Sequence, residues 1–146
     1  MKSSPTELVR EAVRELRRRL KTTNTARQFG FKLEAAEPGR AVLRMRVTAR
    51  HRQVHGVVHG GVMAALADTA GGLATYMALP HGSRVATVEM KINYLEAVAK
   101  GTVRAEAIVL RCGSNLAVVD CDVRDERGKL VAKALMTFSI APTKRM

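Results

Sequence analysis

The segment from Gly60 to Leu79 constrains the fold more than any other part of the chain. It reads GGVMAALADTAGGLATYMAL, and its one charged side chain is that of Asp68. Its length would suffice to span a bilayer, but its four glycines dilute the hydrophobicity and a carboxylate near the middle is costly there. A helix that is apolar on nearly all sides is otherwise buried within a protein. The segment therefore predicts a central helix that other elements surround, and no membrane partner.

Strand patterns lie on both sides of this segment. Before it, residues 40–49 alternate apolar and polar side chains, as a half-exposed strand does. After it, in 84–95, the apolar side chains from Ala86 to Tyr94 alternate with polar ones that include Thr87. The short links between the remaining stretches are typical of antiparallel neighbours. Three further strands are predicted at 101–111, 115–124 and 129–141, with turns at 112–115 and 125–128.

An amphipathic helix is predicted ahead of the strands, over residues 5–21. Ser4 and Glu7 form a capping box, a proline stands at the first helical position, and apolar residues follow at helical spacing. The outer face of this helix is rich in arginine, with glutamates placed to pair along the helix. We expect residues 1–30 to form this helix and a linker, and residues 31–146 to form the main domain.

The order of elements is an N-terminal helix, a strand, one long apolar helix and four antiparallel strands. The chain has 146 residues, 47% of them hydrophobic, which supplies one sizeable core. A sheet of this size can curl around a single buried helix, which is the architecture of the hotdog fold. We therefore predict an α+β hotdog domain with a five- to six-stranded antiparallel sheet around one long central helix, and an extra N-terminal helix. An isolated protomer would expose apolar surface, so we expect a homodimer, and a pairing of dimers into a homotetramer.

The charge of the chain is strongly basic and unevenly spread. The chain has 25 Lys+Arg and 13 Asp+Glu, which gives a net charge of +12. Residues 1–52 contain 14 of the basic residues and 5 of the acidic ones, and so carry a net charge of +9. Aromatic residues make up 3% and Trp is absent, which argues against binding by base stacking. One N-terminal helix is too little for a helix-turn-helix domain, so we do not expect a nucleic-acid partner. Two cysteines and the lack of an apolar leader favour the cytoplasm.

The polar residues that could carry chemistry cluster at the start of the long helix. Gly60 and Gly61 open it, so their N–H groups lack intrahelical partners and can stabilise a developing oxyanion. Asp68 lies nine residues after His59, about 13 Å along a helix. If both act on one carbonyl, two antiparallel helices of a homodimer must place Gly60 of one subunit opposite Asp68 of the other. Asp68 could instead only bond a neighbouring threonine or backbone amide.

Three stretches resemble the PaaI-type acyl-CoA thioesterases of the hotdog superfamily. The resemblance runs from about Arg40 to Ala141, and its most specific parts are HGGVMAALADTA at 59–70, TVEMKINYL at 87–95 and GKLVA at 128–132. It implies hydrolysis of a CoA thioester to the free acid and coenzyme A. No cofactor is implied, since coenzyme A is part of the substrate.

The resemblance also implies a role for each matching position. Asp68 would be the general base or nucleophile, the Gly60 amide would polarise the thioester carbonyl, and His59 would shape the loop. Gln53 and Thr87 match residues held near the reacting carbonyl and water. In the family Asn tends to accompany Asp, and Gln tends to accompany Glu, whereas here Gln53 accompanies Asp68. The mixed pair leaves open an aryl or an aliphatic acyl group, and direct attack or activation of water.

Other positions are candidates for contact with the substrate. Gly61 permits close approach to the backbone, and Met63 and Tyr76 are candidates to line an acyl pocket. Coenzyme A carries several negative charges on its 3′-phospho-ADP end, so cationic and hydroxyl side chains are expected at the pocket mouth. The candidates are Lys91, Lys100, Arg104, Arg111 and Ser114.

Two further patterns bear on alternative chemistry. His51, His55 and His59 have the spacing of metal ligands on a helix, but the residues between them favour a loop, so we predict no metal site. Cys112 and Cys121 are expected to be buried as small apolar side chains. The alternative function is a non-catalytic hotdog module that binds or senses acyl-CoA, with its basic N-terminal part touching nucleic acid.

Overall fold

One antiparallel sheet and one long helix organise residues 3–141, the part of the chain that the computed structural model describes. The sheet has six strands in the order β1-β2-β4-β5-β6-β3, so β1 and β3 form its two edges. The helices are α1 (Pro5–Thr22), α2 (Asn24–Phe29) and α3 (Gly60–Met77), and a short 3₁₀ turn spans Ala49–His51. The strands are β1 (Lys32–Glu37), β2 (Arg40–Arg46), β3 (Arg84–Tyr94), β4 (Thr102–Cys112), β5 (Leu116–Arg124) and β6 (Leu130–Ala141).

The central helix α3 packs across one face of the sheet and contacts all six strands. Leu66, Ala67, Ala70 and Ala74 are fully buried against this face. A Cβ on Gly71 would lie 2.7 Å from the Met136 methyl carbon, so glycine lets the helix approach β6 closely. The predicted hotdog architecture, with a surrounded apolar helix, is therefore confirmed. Between residues 3 and 141, no helix combines the length and hydrophobicity that a bilayer crossing requires.

One side of α3 is covered less completely than the rest. Ala64, Ala65, Asp68, Thr69 and Gly72 are only half-buried, and they fall on one stripe of the helix. Most members of this stripe are small, and Asp68 is its one charged residue. The sheet thus leaves a narrow, nearly apolar surface along α3.

The N-terminal helix α1 seals the far end of α3. Its predicted capping box is present, with Ser4 Oγ accepting from the Glu7 N–H at 3.2 Å and Glu7 Oε2 accepting from the Ser4 N–H at 2.7 Å. Leu16 on its inner face is fully buried beside Tyr76 and Met77. Packing of its apolar face against the domain stabilises α1 more than helix propensity does.

Two elements of the structure were absent from the sequence prediction. The second helix, α2, has six residues and ends at Gly30, whose φ of 69° lies in the left-handed region. The edge strand β1 was also missed, because its sequence KLEAAE has no β-branched residue. The strand predicted over 40–49 ends at Arg46. The ends of the predicted units 1–30 and 31–146, residues 1–2 and 142–146, lie outside the described residues, and that division stays a prediction.

Candidate active site

The start of α3 presents a backbone N–H group that no described residue uses. His59 is the N-cap, and its Nδ1 accepts from the Gly61 N–H at 2.8 Å. The His59 carbonyl accepts from the Val62 N–H at 2.9 Å. Within residues 3–141 the Gly60 N–H donates to no acceptor. Gly60 therefore offers a free donor at the positive end of a helix, where a negative charge is favoured.

Tyr94, the last residue of β3, holds the peptide that follows this donor. Its hydroxyl donates to the Gly60 carbonyl at 2.8 Å, and a Cβ on Gly60 would lie 3.1 Å from its Cζ. Partial burial raises the pKa of Tyr94, so the hydroxyl stays protonated at neutral pH. No role was predicted for Tyr94, although its alternation in phase with Met90 and Ile92 indicates the apolar side of the strand.

Asp68 and Thr87 form the second polar group. Thr87 Oγ1 donates to Asp68 Oδ1 at 2.7 Å, and the other carboxylate oxygen accepts no hydrogen bond from residues 3–141. Asp68 is half-buried on the stripe that the sheet leaves uncovered. The structure therefore brings these two predicted site residues together and leaves one carboxylate oxygen available.

A β-bulge explains why Thr87 points toward α3. The predicted alternation put Thr87 on the same side as Glu89, which pairs with Thr137 on the face away from α3. The register shifts between Thr87 and Glu89, so Val88 is an extra residue and Thr87 lies opposite the buried Phe138. The prediction of one unbroken alternation along this strand is therefore wrong at Val88. The bulge turns Thr87 toward α3, where it contacts Asp68.

Gln53 lies in the loop between β2 and α3 and is bonded within that loop. Its Oε1 accepts from the His55 N–H, and its own N–H donates to the Val57 carbonyl at 2.8 Å. Within one chain the structure does not bring Gln53 into contact with Asp68. Its proposed place near the reacting carbonyl stays a prediction.

His51 anchors the base of the same loop. Its Nδ1 accepts from the Thr48 N–H at 2.9 Å, its Nε2 donates to the Phe29 carbonyl at 2.8 Å, and its own carbonyl accepts from the His59 N–H at 2.8 Å. Burial lowers the pKa of His51, so the neutral ring is favoured. The bonds of His51 are structural, and in residues 3–141 no three His, Cys, Asp or Glu side chains are grouped as metal ligands.

A cavity of about 360 Å³ opens beside the free amide. Met63 lines it together with Val57, Gly60, Tyr94 and Leu95, and the predicted contact of Met63 with an acyl group stays a prediction. Tyr76 does not line it, because it lies sixteen residues after Gly60 at the opposite end of α3, beneath the Arg19 guanidinium at 4.9 Å. Within one protomer Tyr76 therefore packs against α1 instead of lining the cavity beside Gly60.

The residues predicted to bind coenzyme A lie elsewhere on the protomer. Lys91 pairs with Leu135 and Arg111 with Val118, on the face of the sheet away from α3, and Ser114 lies in the β4–β5 turn. The structure does not bring them beside Gly60 or Asp68 in one chain. Their contact with the substrate stays a prediction.

The two cysteines differ from each other. Cys121 is buried as predicted, and burial raises the pKa of its thiol to about 12. Cys112 is exposed, so the prediction of burial is wrong for it, because it is the last residue of β4 and lies beside the turn to β5, at the end of the sheet. Neither thiol contacts the polar groups at α3.

The two polar groups on α3 are too far apart to meet within one chain. Gly60 and Asp68 are eight residues apart on the helix, or about 12 Å. Along the neighbouring edge of the sheet, β3 exposes apolar side chains, with Val88 56% and Tyr94 51% exposed. The half-buried stripe of α3 and this edge together form a surface that is uncovered in the protomer.

Comparison with protein families gives one match over this region. A model described as the thioesterase superfamily matches residues 55–132, which include α3 and most of the strands that follow it.

Several curated proteins are similar to this chain. A candidate esterase of Saccharolobus solfataricus is 40% identical over 108 residues, which cover 74% of this chain and 76% of that protein. Acyl-coenzyme A thioesterase 13 of Pongo abelii is 30% identical over 138 residues, 92% of this chain and 96% of that protein. The 1,4-dihydroxy-2-naphthoyl-CoA hydrolase of Escherichia coli is 30% identical over 96 residues, 66% of this chain and 71% of that protein.

Solved structures resemble this one over most of its length. A thioesterase from Haemophilus influenzae superposes with a TM-score of 0.83 at 32% identity and covers 89% of this chain and 90% of its own. The PaaI protein from the phenylacetic acid degradation operon of E. coli superposes with a TM-score of 0.85 at 26% identity, over 93% of this chain and 97% of its own.

Proposed function

Because this chain belongs to the thioesterase superfamily, as a PaaI-type hotdog enzyme that hydrolyses thioesters, we propose that its substrate is an acyl-CoA and that two subunits complete each site. The observation that carries the proposal is the separation of two unsatisfied groups on α3, the Gly60 N–H and the free oxygen of Asp68. Neither group has a hydrogen-bond partner within residues 3–141, and each is the type that thioester hydrolysis needs.

The Gly60 amide is proposed to act on the acyl carbonyl. When water attacks a thioester, the carbonyl oxygen becomes an oxyanion, which a preorganised N–H at a helix N-terminus stabilises. Glycine at this position leaves the backbone accessible to the substrate. The Tyr94 hydroxyl holds the adjoining carbonyl, so the amide points outward in a fixed direction.

Asp68 is proposed to activate the attacking water as a general base. Its free oxygen takes a proton from water as the new C–O bond forms, while the Thr87 hydroxyl fixes its other oxygen. The tetrahedral intermediate then expels the thiolate of coenzyme A, which takes that proton and leaves as a thiol. A thioester is already activated, so no separate serine nucleophile is required.

A second copy of the chain is the proposed partner. Two α3 helices packed antiparallel through their half-buried stripes would set Gly60 of one subunit opposite Asp68 of the other. The small side chains of the stripe permit close helix approach, and the exposed apolar residues of β3 would be covered in the same contact. We propose a homodimer on this basis, and a pairing of dimers into a homotetramer.

The cavity beside Gly60 is the proposed acyl pocket. Its lining is mainly apolar, with Met63, Val57 and Leu95 among its walls. The similar proteins include one named for an aryl-CoA substrate and one named for acyl-CoA, and the pairing of Gln53 with Asp68 is compatible with either.

The direct test is thiol release from a panel of short, medium, long and aryl acyl-CoAs. Wild type is expected to turn over at least one class, and Asp68→Ala and Asp68→Asn to turn over none at a comparable rate. Glu11→Gln is the matched control, because Glu11 is an exposed carboxylate on α1. No turnover on any member of the panel would refute the acyl-CoA proposal, and binding without turnover would favour the sensing alternative.

Two further experiments separate the parts of the proposal. Mixing Asp68→Asn with Gly60→Pro is expected to restore activity, because one site of a mixed dimer then has both intact groups. No recovery on verified heterodimers would contradict a site shared between subunits. A single turnover in ¹⁸O water is expected to label the released acid and leave Asp68 unlabelled. Attack by Asp68 itself would form an anhydride, and addition of water to its Asp68 carbonyl would place the label on the enzyme.

A further inference from the structure

A second cavity lies where α1, α2, β1 and β2 meet. Its volume is about 530 Å³, within the range of small-molecule pockets. Five basic side chains from these four elements line it, and no acidic side chain does. These five residues, which we name the basic cavity residues, are Arg17, Lys21, Arg27, Lys32 and Arg44.

The basic cavity residues have no counter-ion in the described chain. None of them forms an ion pair within residues 3–141. Some basic residues elsewhere on the sheet are paired, as Arg104 is with Glu34 at 2.7 Å. Glu34 lies only two residues from Lys32, yet its carboxylate pairs with Arg104. The cavity therefore keeps five positive charges in one place.

This arrangement has an electrostatic cost that the fold does not offset. Lys32 lies directly opposite Arg44 in the β1–β2 ladder, and like charges in that relation are destabilising. Arg17 and Lys21 repeat the repulsion at i,i+4 on α1. A bound anion would relieve both repulsions at once, so the arrangement favours a negatively charged ligand.

The cavity also has an apolar floor. Leu20, Ala26 and Phe31 lie beneath the charges and are at most 7% exposed. A concave site with an apolar base and a cationic rim fits a small ligand that joins a ring to several phosphates, because arginine binds phosphate with paired hydrogen bonds. A nucleic-acid duplex is bound mainly through its phosphate backbone, which would leave the apolar floor of the cavity without a contact.

We propose that the basic cavity binds a nucleotide-sized anion with two or more phosphate groups. The cavity lies at the β1 edge of the sheet, whereas the proposed active site lies between α3 and the β3 edge. Anion binding in this cavity therefore does not depend on the proposed thioesterase mechanism, whereas a coenzyme A source of the phosphates rests on the proposed acyl-CoA substrate. The phosphates could belong to a free nucleotide or to the 3′-phospho-ADP end of coenzyme A.

The test measures binding of ADP, inorganic pyrophosphate and coenzyme A by calorimetry. We compare wild type with Arg27→Gln/Arg44→Gln, and with the control pair Arg10→Gln/Arg14→Gln, which removes the same charge from outside the cavity. The cavity pair is expected to weaken ADP or coenzyme A binding at least about tenfold, and the control pair less than about twofold. Both pairs change exposed side chains, and melting curves verify that they fold.

The outcomes distinguish the sources of the phosphates and can refute the site. Binding of ADP with an unchanged KM for acyl-CoA in the cavity pair identifies a free nucleotide. Preference for coenzyme A, with a raised KM, identifies the substrate's nucleotide end. Equal weakening in both pairs, no binding of any probe at millimolar concentration, or binding of duplex DNA alone would overturn the proposal.

Discussion

The two ends of α3 each lie beside one of the chain's two tyrosines, and the two hydroxyl groups are in opposite situations. At the start of the helix, the Tyr94 hydroxyl donates to the Gly60 carbonyl at 2.8 Å. At the other end, Tyr76 is 7% exposed and its hydroxyl has no hydrogen-bond partner within residues 3–141. The first contact orders a peptide that faces an open cavity, and the second leaves a polar atom inside an apolar cluster.

The difference shows that one end of α3 serves the proposed site and the other end serves the stability of the fold. From Gly60 to Asp68 it keeps groups unsatisfied or exposed, which weakens the fold but leaves them available to a substrate. At Tyr76 and Met77 it is sealed by Leu16 of α1, which supports the fold and offers no free donor to solvent. Substitutions in the first region should therefore change activity, and substitutions in the second should change stability.

Replacing Asp68 by asparagine tests the first region most severely. We expect kcat to fall about 10³-fold, because the general base is lost, with the thermal midpoint close to that of wild type. Thiol release and thermal melting measure the two effects. A large drop in melting temperature with kcat retained would reverse the assignment of this region.

Leu16→Ala tests the second region. Leu16 is fully buried, so the cavity left by its truncation should cost about 3 kcal/mol of unfolding free energy. Activity per folded molecule should stay at the wild-type value. Leu8→Ala is the control on the same helix, since Leu8 is 54% exposed and its loss should be nearly neutral. Equal costs for the two variants would show that α1 is not anchored through Leu16.

Tyr94→Phe sharpens the comparison at the open end. It removes one hydrogen bond and keeps the ring. We expect the activation free energy to rise by about 1 kcal/mol, so that kcat falls about fivefold with little change in KM. The readout is the split between kcat and KM on the best acyl-CoA. A loss of thermal stability with kcat unchanged would make Tyr94 merely structural.

Tyr76→Phe is the matched change at the sealed end. Removing a buried hydroxyl that has no partner should raise the unfolding free energy by about 1 kcal/mol and leave kcat unchanged. Denaturant unfolding measures the gain. If Tyr76→Phe destabilises the protein instead, its hydroxyl has a partner outside the described chain, in solvent or in a second subunit.

The pH dependence of stability should report on His51, with the smallest effect of the five. Burial lowers its pKa in the folded state, so the unfolded chain binds the proton more readily. Stability is therefore fully present above the ordinary histidine pKa and is lost as the pH falls below it. Urea midpoints at pH 7.5 and pH 5.5 should differ less in His51→Gln than in wild type. The same difference in both would exclude His51 as the source.

Long periodic patterns made most of the fold predictable. The apolar run of α3 and the four strands after it are dictated by which side chains avoid water, and the structure has all five elements within one residue or two of the predicted bounds. The sequence did not predict β1 and α2, because neither has a strong apolar period. β1 packs against α1 and β2, and α2 packs against α1. Their positions are fixed by tertiary contacts that sequence periodicity does not encode.

The candidate site was predictable in its residue types but not in its arrangement. Asp68 stood out because a lone carboxylate in an apolar helix is costly. Tyr94 did not stand out, because the value of its hydroxyl depends on an acceptor thirty-four residues away. The basic cavity was equally hidden, since its five residues come from four elements and none of them forms a motif.

The bulge in β3 contributes to the site through the length of the strand and not through the type of any residue. Thr87 reaches Asp68 because the strand contains one residue more, Val88, than its neighbour β6 requires. Deleting that residue would leave every chemical group in place and turn the threonine to the far face. The contact between Thr87 and Asp68 thus depends on the number of residues in β3, so that a single insertion or deletion can create or remove it. Relatives with high identity but a different count of residues here would differ in chemistry more than their identity indicates.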